Sequence, residues 1–435
     1  MFLKILYKTT EESISTSRPR PLGGLLRTRN FALLWIGMSA SMIGSSITTV
    51  ALPLVAVSTL HAPAAMVALL TAATWLPRLL IGLPAGVWVD RWPRRRVLLT
   101  ADLASAAVLA VIPIAAWTGV LTMAFLLVLA LLAGTASCFF NLAFNAFLPQ
   151  LLSGDDLLEG NSKLQASASV ALVVGPGLGG LLAAAAGPVN GILVNCFTFL
   201  VSAACLFGLQ LGQQSRPFAS HRPGMLHEMV EGIRFIMSGR ILPVMLVVAA
   251  TTSFTVQGIT ALRVVFLVRS AEATAETVGL VISVASLGGI LGAVVVSRVS
   301  RRFGNARTYV LANIVAAPFV LLLPLAGHDW RLTLFAAGSF MVLTGTTMSN
   351  VITMTFRGNF VPPHLLGRVT AASQLFVFGT VPLGAATGGL LASALGIRPA
   401  MWALAILFVI TPLPLLATSI RTLREFPKQG STGLA

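Results

Sequence analysis

The feature that most constrains this chain is a series of long apolar runs that recurs from end to end. A bilayer core of about 30 Å is crossed by roughly 20 residues of α-helix. The sequence holds twelve runs long enough for this, separated by polar connections. They lie at 31–57, 64–89, 97–117, 120–143, 164–187, 189–211, 241–266, 277–297, 308–327, 332–356, 369–396 and 399–419. The sequence therefore predicts an all-α polytopic membrane protein with twelve transmembrane helices.

The distribution of basic residues orients the chain. Lys and Arg gather in the cytoplasmic connections of membrane proteins. With the N-terminus in the cytoplasm, 24 of the 29 Lys and Arg residues fall in the two tails and the even-numbered connections, and only Arg269, Arg331 and Arg398 fall in the outer connections. We therefore expect a multi-pass protein of the cytoplasmic (inner) membrane with both termini in the cytoplasm. The same bias accounts for the net charge of +16 without a nucleic-acid partner.

The longest polar interruption divides the runs into two sets of six. The predicted organisation is an N-terminal tail, a six-helix bundle, a linker, a second six-helix bundle and a C-terminal tail, at 1–30, 31–211, 212–240, 241–419 and 420–435. Within the linker, Met225, Met229, Ile233 and Ile236 share one helical face. This pattern predicts an amphipathic helix on the membrane surface.

The two halves are also sequence repeats. The segment "GPGLGGLLAAAAG", from Gly175 to Gly187, aligns with "GAATGGLLASALG", from Gly384 to Gly396, with eight of thirteen positions identical at an offset of 209. Six crossings return the chain to its starting side, so the two halves have the same orientation. The sequence thus predicts two parallel six-helix repeats, an architecture found in secondary transporters.

A charged corner separates the second and third runs. It carries one acid and several bases in a fixed pattern: Gly86, Asp90, Arg91, Arg94 and Arg95. Its bases recur in the second half at an offset of 207, as Arg298, Arg301 and Arg302. A positive-inside anchor needs no fixed spacing, so the repetition indicates a role beyond anchoring.

With these motifs, the chain resembles the major facilitator superfamily of transporters over nearly its whole length. The corner is similar to the family's signature loop between helices 2 and 3. There the acid meets the start of helix 11 and the arginines brace neighbouring helices, which steadies the outward-open state. The resemblance implies this gating role for Asp90, Arg91, Arg94 and Arg95. Stretches such as "FLPQLLSGDDLLEGNSKLQAS" resemble the bacterial drug- and macrolide-efflux branch.

A second motif, "VVGPGLGG", lies in the fifth run. It resembles the helix-5 motif of exporters that work as antiporters, through Gly175, Pro176, Gly179 and Gly180. The motif's upstream glycine is Ala171 in this chain. The alternative interpretation is simple close packing, since small residues let helices approach one another. The fourth run lacks the arginine of many proton-coupled relatives.

The resemblance implies a central substrate site lined by helices 1, 4, 7 and 10. These runs are rich in hydroxyl and amide side chains, whereas runs 3, 6, 9 and 12 are poorer in them and are expected to face lipid. The candidate cavity residues are Ser45, Thr49, Arg78, Asn141, Ser253, Gln257, Asn350 and Thr353. Any single hydroxyl could instead bond to its own helix backbone. We expect a large, weakly polar, uncharged cavity suited to bulky amphipathic molecules.

Charges within the runs are costly and mark functional or paired groups. Arg78, near the middle of the second run, is expected either to face the cavity as a partner for anionic groups or Asp102, or to be paired structurally. Asp102, the only acid inside a run, either pairs with the arginine-rich corner or carries protons. Arg263 lies near the outer end of the seventh run and is expected to reach the interface.

These observations favour a secondary transporter that exports amphipathic small molecules such as drugs, macrolides or siderophores by alternating access, with proton antiport. An importer or lipid flippase of the same fold and a non-transporting receptor or scaffold are the alternatives. No phosphate-binding loop, catalytic cluster or metal spacing is present, so the sequence predicts neither an enzyme nor a cofactor or metal site. The expected partners are the bilayer, the substrate and protons, with the chain acting as a monomer.

Overall fold

The computed structural model describes residues 24–210 and 225–427. The predicted N-terminal tail up to residue 23, the first part of the linker and the last eight residues of the C-terminal tail lie outside the described residues. Every regular element in the described ranges is a helix. The predicted all-α polytopic fold is therefore confirmed.

Among the described residues, eleven helices are long and apolar enough to cross a membrane, and there are twelve spans when a bent pair of helices is taken as one. We number these spans 1 to 12 in chain order. Their bounds are Arg29–Thr59, Ala64–Leu80 with Gly82–Arg91, Arg94–Trp117, Met123–Leu151, Asp155–Ala186, Pro188–Phe207, Ile241–Arg269, Ala275–Phe303, Asn305–Leu325, Asp329–Phe360, Pro363–Leu395 and Ile397–Ala417.

Span 2 is broken, whereas the sequence predicted one continuous helix over 64–89. Its two helices meet at an angle of 64°. The cause is local, because Pro84 has no N–H to donate to the carbonyl of Leu80 and its ring crowds that turn. Arg78 lies in the last turn of the first helix, beside the break and near the middle of span 2 as a whole.

The repeated glycines pack in the same way in both halves. A Cβ atom on Gly175 of span 5 would lie 2.3 Å from the Cβ of Ser46 in span 1. A Cβ atom on Gly384 of span 11 would lie 2.1 Å from the carbonyl oxygen of Phe254 in span 7. In each half, the glycine stripe thus brings the fifth helix against the first helix of its own bundle.

The last glycine of each stripe crosses to the other half. A Cβ atom on Gly180 would lie 2.8 Å from the Cα of Gly279 in span 8, and one on Gly389 would lie 3.1 Å from the Cα of Ala65 in span 2. Gly180 and Gly389 are equivalent positions under the offset of 209, and the helices that they meet, spans 8 and 2, are each the second helix of a half. The two halves therefore meet through a pair of symmetry-related close crossings, as expected for parallel repeats.

The linker contains a helix, Met225–Ser238, that docks on protein. A Cβ atom on Gly232 would lie 2.6 Å from the carbonyl oxygen of Arg368 near the start of span 11, and Glu231 forms a salt bridge with the Arg368 guanidinium. Ile236 is buried. Part of this helix therefore packs against protein at the start of span 11, and its placement on the membrane surface stays a prediction.

The first residues after span 12 belong to the folded core, although the sequence assigned residues 420–435 to a tail. The ring of Phe426 lies 4.5 Å from that of Phe356 and 6.1 Å from that of Tyr309, measured between ring centres. The carbonyl of Arg424 accepts a hydrogen bond from the Ala306 N–H at the start of span 9. This segment therefore closes the ends of spans 9 and 10.

The charged corner braces the first half. Arg95 donates to the carbonyls of Leu206 and Phe207 at the end of span 6, at 3.0 and 2.5 Å. Arg94 donates to the carbonyl of Ala146 in span 4. A guanidinium nitrogen of Arg94 also lies 3.7 Å from a carboxylate oxygen of Asp90, in the same corner. Cations at carbonyl-rich helix ends are favoured by the unsatisfied acceptors there.

Replacing Arg95 by glutamine is expected to destabilise the protein. The change removes two hydrogen bonds from a charged donor to the end of span 6, one of them partly exposed, at a cost of about 1–2 kcal/mol. Arg96→Gln is the matched control, because Arg96 is exposed and makes no such bond among the described residues. Thermal unfolding in detergent should show a lower midpoint for Arg95→Gln alone; equal midpoints would contradict the bracing role.

Candidate substrate cavity and its closure

A central cavity of about 550 Å³ lies between the two halves. This volume is typical of small-molecule sites. Its wall is mostly apolar, with contributions from spans 1 to 8 and span 10. Hydroxyl and amide groups are interspersed along it, among them Ser45, Thr49, Thr74, Asn141 and Gln257. The arrangement can hold an amphipathic molecule.

The structure places five of the eight candidate cavity residues on this wall: Ser45, Thr49, Arg78, Asn141 and Gln257. Ser253, Asn350 and Thr353 are not on it. The Ser253 hydroxyl lies 3.5 Å from the carbonyl oxygen of Val377, Asn350 is exposed, and Thr353 donates to the carbonyl of Ser349. Span 10 contributes only Leu343, because its polar stripe lies further along the helix, where the halves diverge.

Spans 3 and 6 also reach the cavity, which corrects the expectation that they face only lipid. Ser105 and Leu109 of span 3 and Asn195 and Phe199 of span 6 line the wall. Beside this part of the wall spans 2 and 4 pack closely, since a Cβ atom on Gly134 would lie 2.3 Å from the carbonyl oxygen of Thr74.

Arg263 lines the cavity, whereas the sequence placed it at the membrane interface. Its Nε atom is buried and has no hydrogen-bond partner among the described residues. Gln257 and Thr260 line the wall at the two preceding positions of the same helical face. This spacing of three was the sequence signal for the location of Arg263. The prediction of an uncharged cavity is therefore wrong.

Arg78 is the second cation of the wall. Its guanidinium carbon lies 4.5 Å from the ring centre of Phe378 in span 11 and 5.8 Å from that of Trp75. No salt bridge joins it to Asp102 within the described residues. Arg78 is thus held by aromatic rings from both halves and not by an acid.

Asp102 is completely buried, and neither of its carboxylate oxygens has a hydrogen-bond partner in the described part of the chain. Pairing with the arginine-rich corner is therefore wrong, because Arg94 and Arg95 turn toward backbone carbonyls. Eight residues separate Asp102 from the start of span 3, or about 12 Å along the helix. It lies inside the bundle and not at its rim.

Polar side chains of spans 3 and 6 lie near Asp102 and on the neighbouring part of the cavity wall. Ser105, one turn further along span 3, is on the cavity wall. Ser202 of span 6 lies beside the Asp102 carboxyl group. On the same face of span 6, Asn195 reaches the wall and donates to the Thr48 hydroxyl at 2.6 Å. Asp102 is therefore buried behind the wall but close to groups that reach it.

The two halves are joined at one face of the bundle. We call the face with the charged corner and the linker helix the basic face, and the face with the turns at Ala62 and Ser270 the opposite face. The Gly180 and Gly389 crossings lie toward the opposite face. There Arg269 of span 7 also donates to the carbonyl of Ala62 at 2.8 Å, across the two halves.

The basic face has no equivalent connection among the described hydrogen bonds, salt bridges and ring contacts. Asp90 pairs with Arg94, and a Cβ atom added to Gly86, or to Gly367 near the start of span 11, would meet nothing within 4 Å. The contact between Asp90 and span 11 that the resemblance implies is not made in this arrangement. The described contacts between the halves thus run from the opposite face inward to the Phe378 ring, which lies against Trp75 and Arg78, and none is made at the charged corner.

Replacing Arg269 by glutamine is expected to weaken closure of the opposite face. The bond to Ala62 comes from a charged donor and is partly buried, so its loss should change the ratio of open to closed molecules by about tenfold. Arg398→Gln is the control, since Arg398 donates only to Ser270 and Ala326 within its own half. Spin labels at Thr118 and Glu276, both exposed at the opposite face, would report the distance between halves. An unchanged distribution would contradict the prediction.

Comparison with known sequences gives a consistent picture. The sequence profile of the transmembrane secretion effectors matches residues 22–432. Multidrug efflux pump Tap of Mycobacterium tuberculosis is 27% identical over 91% of this chain and 94% of its own length. Tap of Mycolicibacterium fortuitum is 30% identical over 88% and 93% of the two chains. Macrolide efflux protein A of Streptococcus pyogenes is 24% identical over 85% and 90%.

Solved structures share the fold. A bacterial homologue of the lysosomal transporter Spinster, described as inward-facing and unoccupied, has a TM-score of 0.71 at 15% identity, covering 92% of this chain and 98% of that one. A bacterial homologue of the iron transporter ferroportin gives the same TM-score and identity over 89% and 98%. Because the profile matches almost the whole chain and the helices have this arrangement, the protein belongs to the transmembrane secretion effector family of the major facilitator superfamily.

Proposed function

We propose that the protein is a secondary transporter that exports amphipathic small molecules by alternating access. The observation that carries this proposal is a mostly apolar cavity between two pseudosymmetric halves, whose described contacts lie toward the opposite face and at the Phe378 ring and not at the charged corner. Relatives named as multidrug and macrolide efflux pumps support drug-like substrates. Action as a monomer is part of this proposal.

The basic face is proposed to lie in the cytoplasm of a bacterial cell membrane. The bias of Lys and Arg toward this face supports the assignment. The structure then corresponds to an inward-facing state, ready to receive a molecule from the cytoplasm. Opening would separate the Gly180 and Gly389 crossings and release Arg269 from Ala62. Closure of the basic face would let Asp90 approach the start of span 11, where the positive end of the helix favours a carboxylate.

Proton antiport through Asp102 is the proposed coupling. An ionised carboxylate buried without a partner is costly, and protonation removes that cost. Ser202 lies beside this carboxyl group, and Ser105, one turn further along span 3, lies on the cavity wall. A conformational change that gives this carboxyl group access to one face and then the other would exchange a proton in each cycle.

The proposed function is tested in inside-out vesicles that contain the protein and carry a pH gradient. We expect macrolides, lipophilic dyes or siderophores to collapse the gradient in a compound-dependent way, and protein-free vesicles to give no such response. Compound uptake without gradient collapse would retain export but refute proton antiport. Flux in the opposite direction would favour an importer, and absence of flux for every compound would refute the proposal.

A further inference from the structure

The charges of the cavity wall restrict the chemistry of what it can hold. Arg78 and Arg263 line the wall, and no Asp or Glu does so among the described residues. Both arginines lack a salt bridge in the described part of the chain. A cavity with two cations and no acid is electrostatically unfavourable for a cationic ligand and favourable for an anionic one.

The two guanidinium groups retain donors for a ligand. The buried Arg263 Nε has no acceptor among the described residues. Arg78 lies over the Phe378 ring, which stabilises its positive charge. The ring does not accept paired hydrogen bonds from the guanidinium group in the way that a carboxylate does. Arginine presents five donors in a geometry that matches carboxylate oxygens, and burial strengthens such a bond.

The rest of the wall is suited to an apolar body. Leu52, Leu70, Leu109, Ile112 and Phe199 face the same space. A ligand that packs against these side chains and also pairs with the arginines therefore combines an apolar ring system or chain with a carboxylate at one end.

We infer that the cavity selects amphipathic molecules that carry a carboxylate, and that Arg78 and Arg263 are the residues that recognise this group. The inference rests on the proposed export function and specifies its substrate class. Both arginines are positioned to contribute, since Arg78 comes from the first half and contacts Phe378 of the second, while Arg263 comes from the second half. Each half therefore supplies one of the two cations of the wall.

The test uses 11-(dansylamino)undecanoic acid, a dye with a free carboxylate on an otherwise uncharged body, and its methyl ester, which has the same body without that charge. Fluorescence anisotropy with the purified protein measures binding of each dye, and efflux from the same reconstituted vesicles measures transport. We expect the wild type to bind the acid at least tenfold more tightly than the ester. Arg78→Gln and Arg263→Gln should each reduce this preference by about tenfold, mainly by weakening binding of the acid.

Two further variants separate charge and geometry from folding defects. Arg78→Lys and Arg263→Lys retain the positive charge but lose the planar donor group of the guanidinium. They should keep part of the preference for the acid over the ester. Arg331→Gln neutralises an exposed arginine outside the cavity and should leave the preference unchanged. Thermal unfolding of each variant verifies that it is folded.

The outcomes distinguish the inference from the function. Preferential binding of the acid that depends on the arginines, without efflux of either dye, would support the inference and refute export. Efflux of both dyes with equal affinities, unaffected by Arg78→Gln and Arg263→Gln, would retain export and overturn the inference. Tighter binding of the ester by the wild type would also overturn it.

Discussion

Replacing Gly180 by leucine is expected to abolish export and to open the opposite face of the protein. A Cβ atom at this position would lie 2.5 Å from the carbonyl oxygen of Ala275 and 2.8 Å from the Cα of Gly279. The atoms that the new side chain would meet belong to the backbone of span 8, so they cannot rotate aside as a flexible side chain can. Spans 5 and 8 can therefore relieve the clash only by moving apart. Overpacking of this kind costs about 1–3 kcal/mol, which shifts the ratio of closed to open molecules by roughly tenfold or more.

The measurement combines efflux in vesicles with distances between spin labels at Thr118 and Glu276 in a variant that lacks Cys138, Cys196 and Cys205. We expect Gly180→Leu to lose efflux and to lengthen this distance by several ångströms, roughly the size of a side chain inserted between two helices. Gly389→Leu should act in the same way, because it makes the equivalent crossing with Ala65.

Gly358→Leu is the matched control for this substitution. Gly358 lies in the helix of span 10, and a Cβ atom there would meet nothing within 4 Å. The control should keep wild-type efflux and distances. If Gly180→Leu also kept them, the crossing of spans 5 and 8 would not close the protein, and the helix-5 motif would have another role.

Replacing Asp102 by asparagine is expected to eliminate substrate-dependent collapse of the pH gradient while leaving the fold intact. The amide has nearly the same shape as the carboxylate but does not gain or lose a proton at the pH values on either side of the vesicle membrane. Because neither Asp102 oxygen has a hydrogen-bond partner among the described residues, the substitution breaks no visible bond. We expect the free energy of unfolding to change by less than about 1 kcal/mol.

The experiment compares gradient collapse, dye binding and thermal unfolding for the wild type, Asp102→Asn and Asp155→Asn. Asp155 is an acid in the first turn of span 5, outside the buried region, and its neutralisation should leave coupling unchanged. Dye binding should persist in Asp102→Asn, since Asp102 is not on the cavity wall. Gradient collapse at the wild-type rate in Asp102→Asn would remove Asp102 from the coupling mechanism.

Much of the architecture could be predicted from local features of the chain. The spans follow from apolar runs because a helix satisfies its own backbone hydrogen bonds in lipid, wherever its neighbours lie. The repeat could also be recognised from the two aligned glycine-rich segments, and in the structure Gly180 and Gly389 make equivalent crossings. The break in span 2 was not predicted as such, although its cause is local and lies in Pro84.

The composition of the cavity wall was less accessible. Richness in hydroxyl groups identified spans 1, 4 and 7 but did not indicate which part of each helix faces the cavity. Thr353 was assigned to the wall and is not on it, while Ser105 and Arg263 are on it. A polar group in a span can bond to its own helix or to a neighbour, and its local sequence does not distinguish the two.

Asp102 also shows the difference between what the local sequence suggests and what contacts between distant segments determine. Its sequence position beside an arginine-rich corner suggested a salt bridge, yet Arg95 turns to the end of span 6, more than a hundred residues away along the chain. Hydropathy and charge bias depend on short segments, so they establish the number of helices and their predicted direction. The rotation of each helix about its axis depends on contacts between distant segments, such as Gly180 with Gly279, and these contacts determine which side chains face the cavity, the bundle interior or lipid.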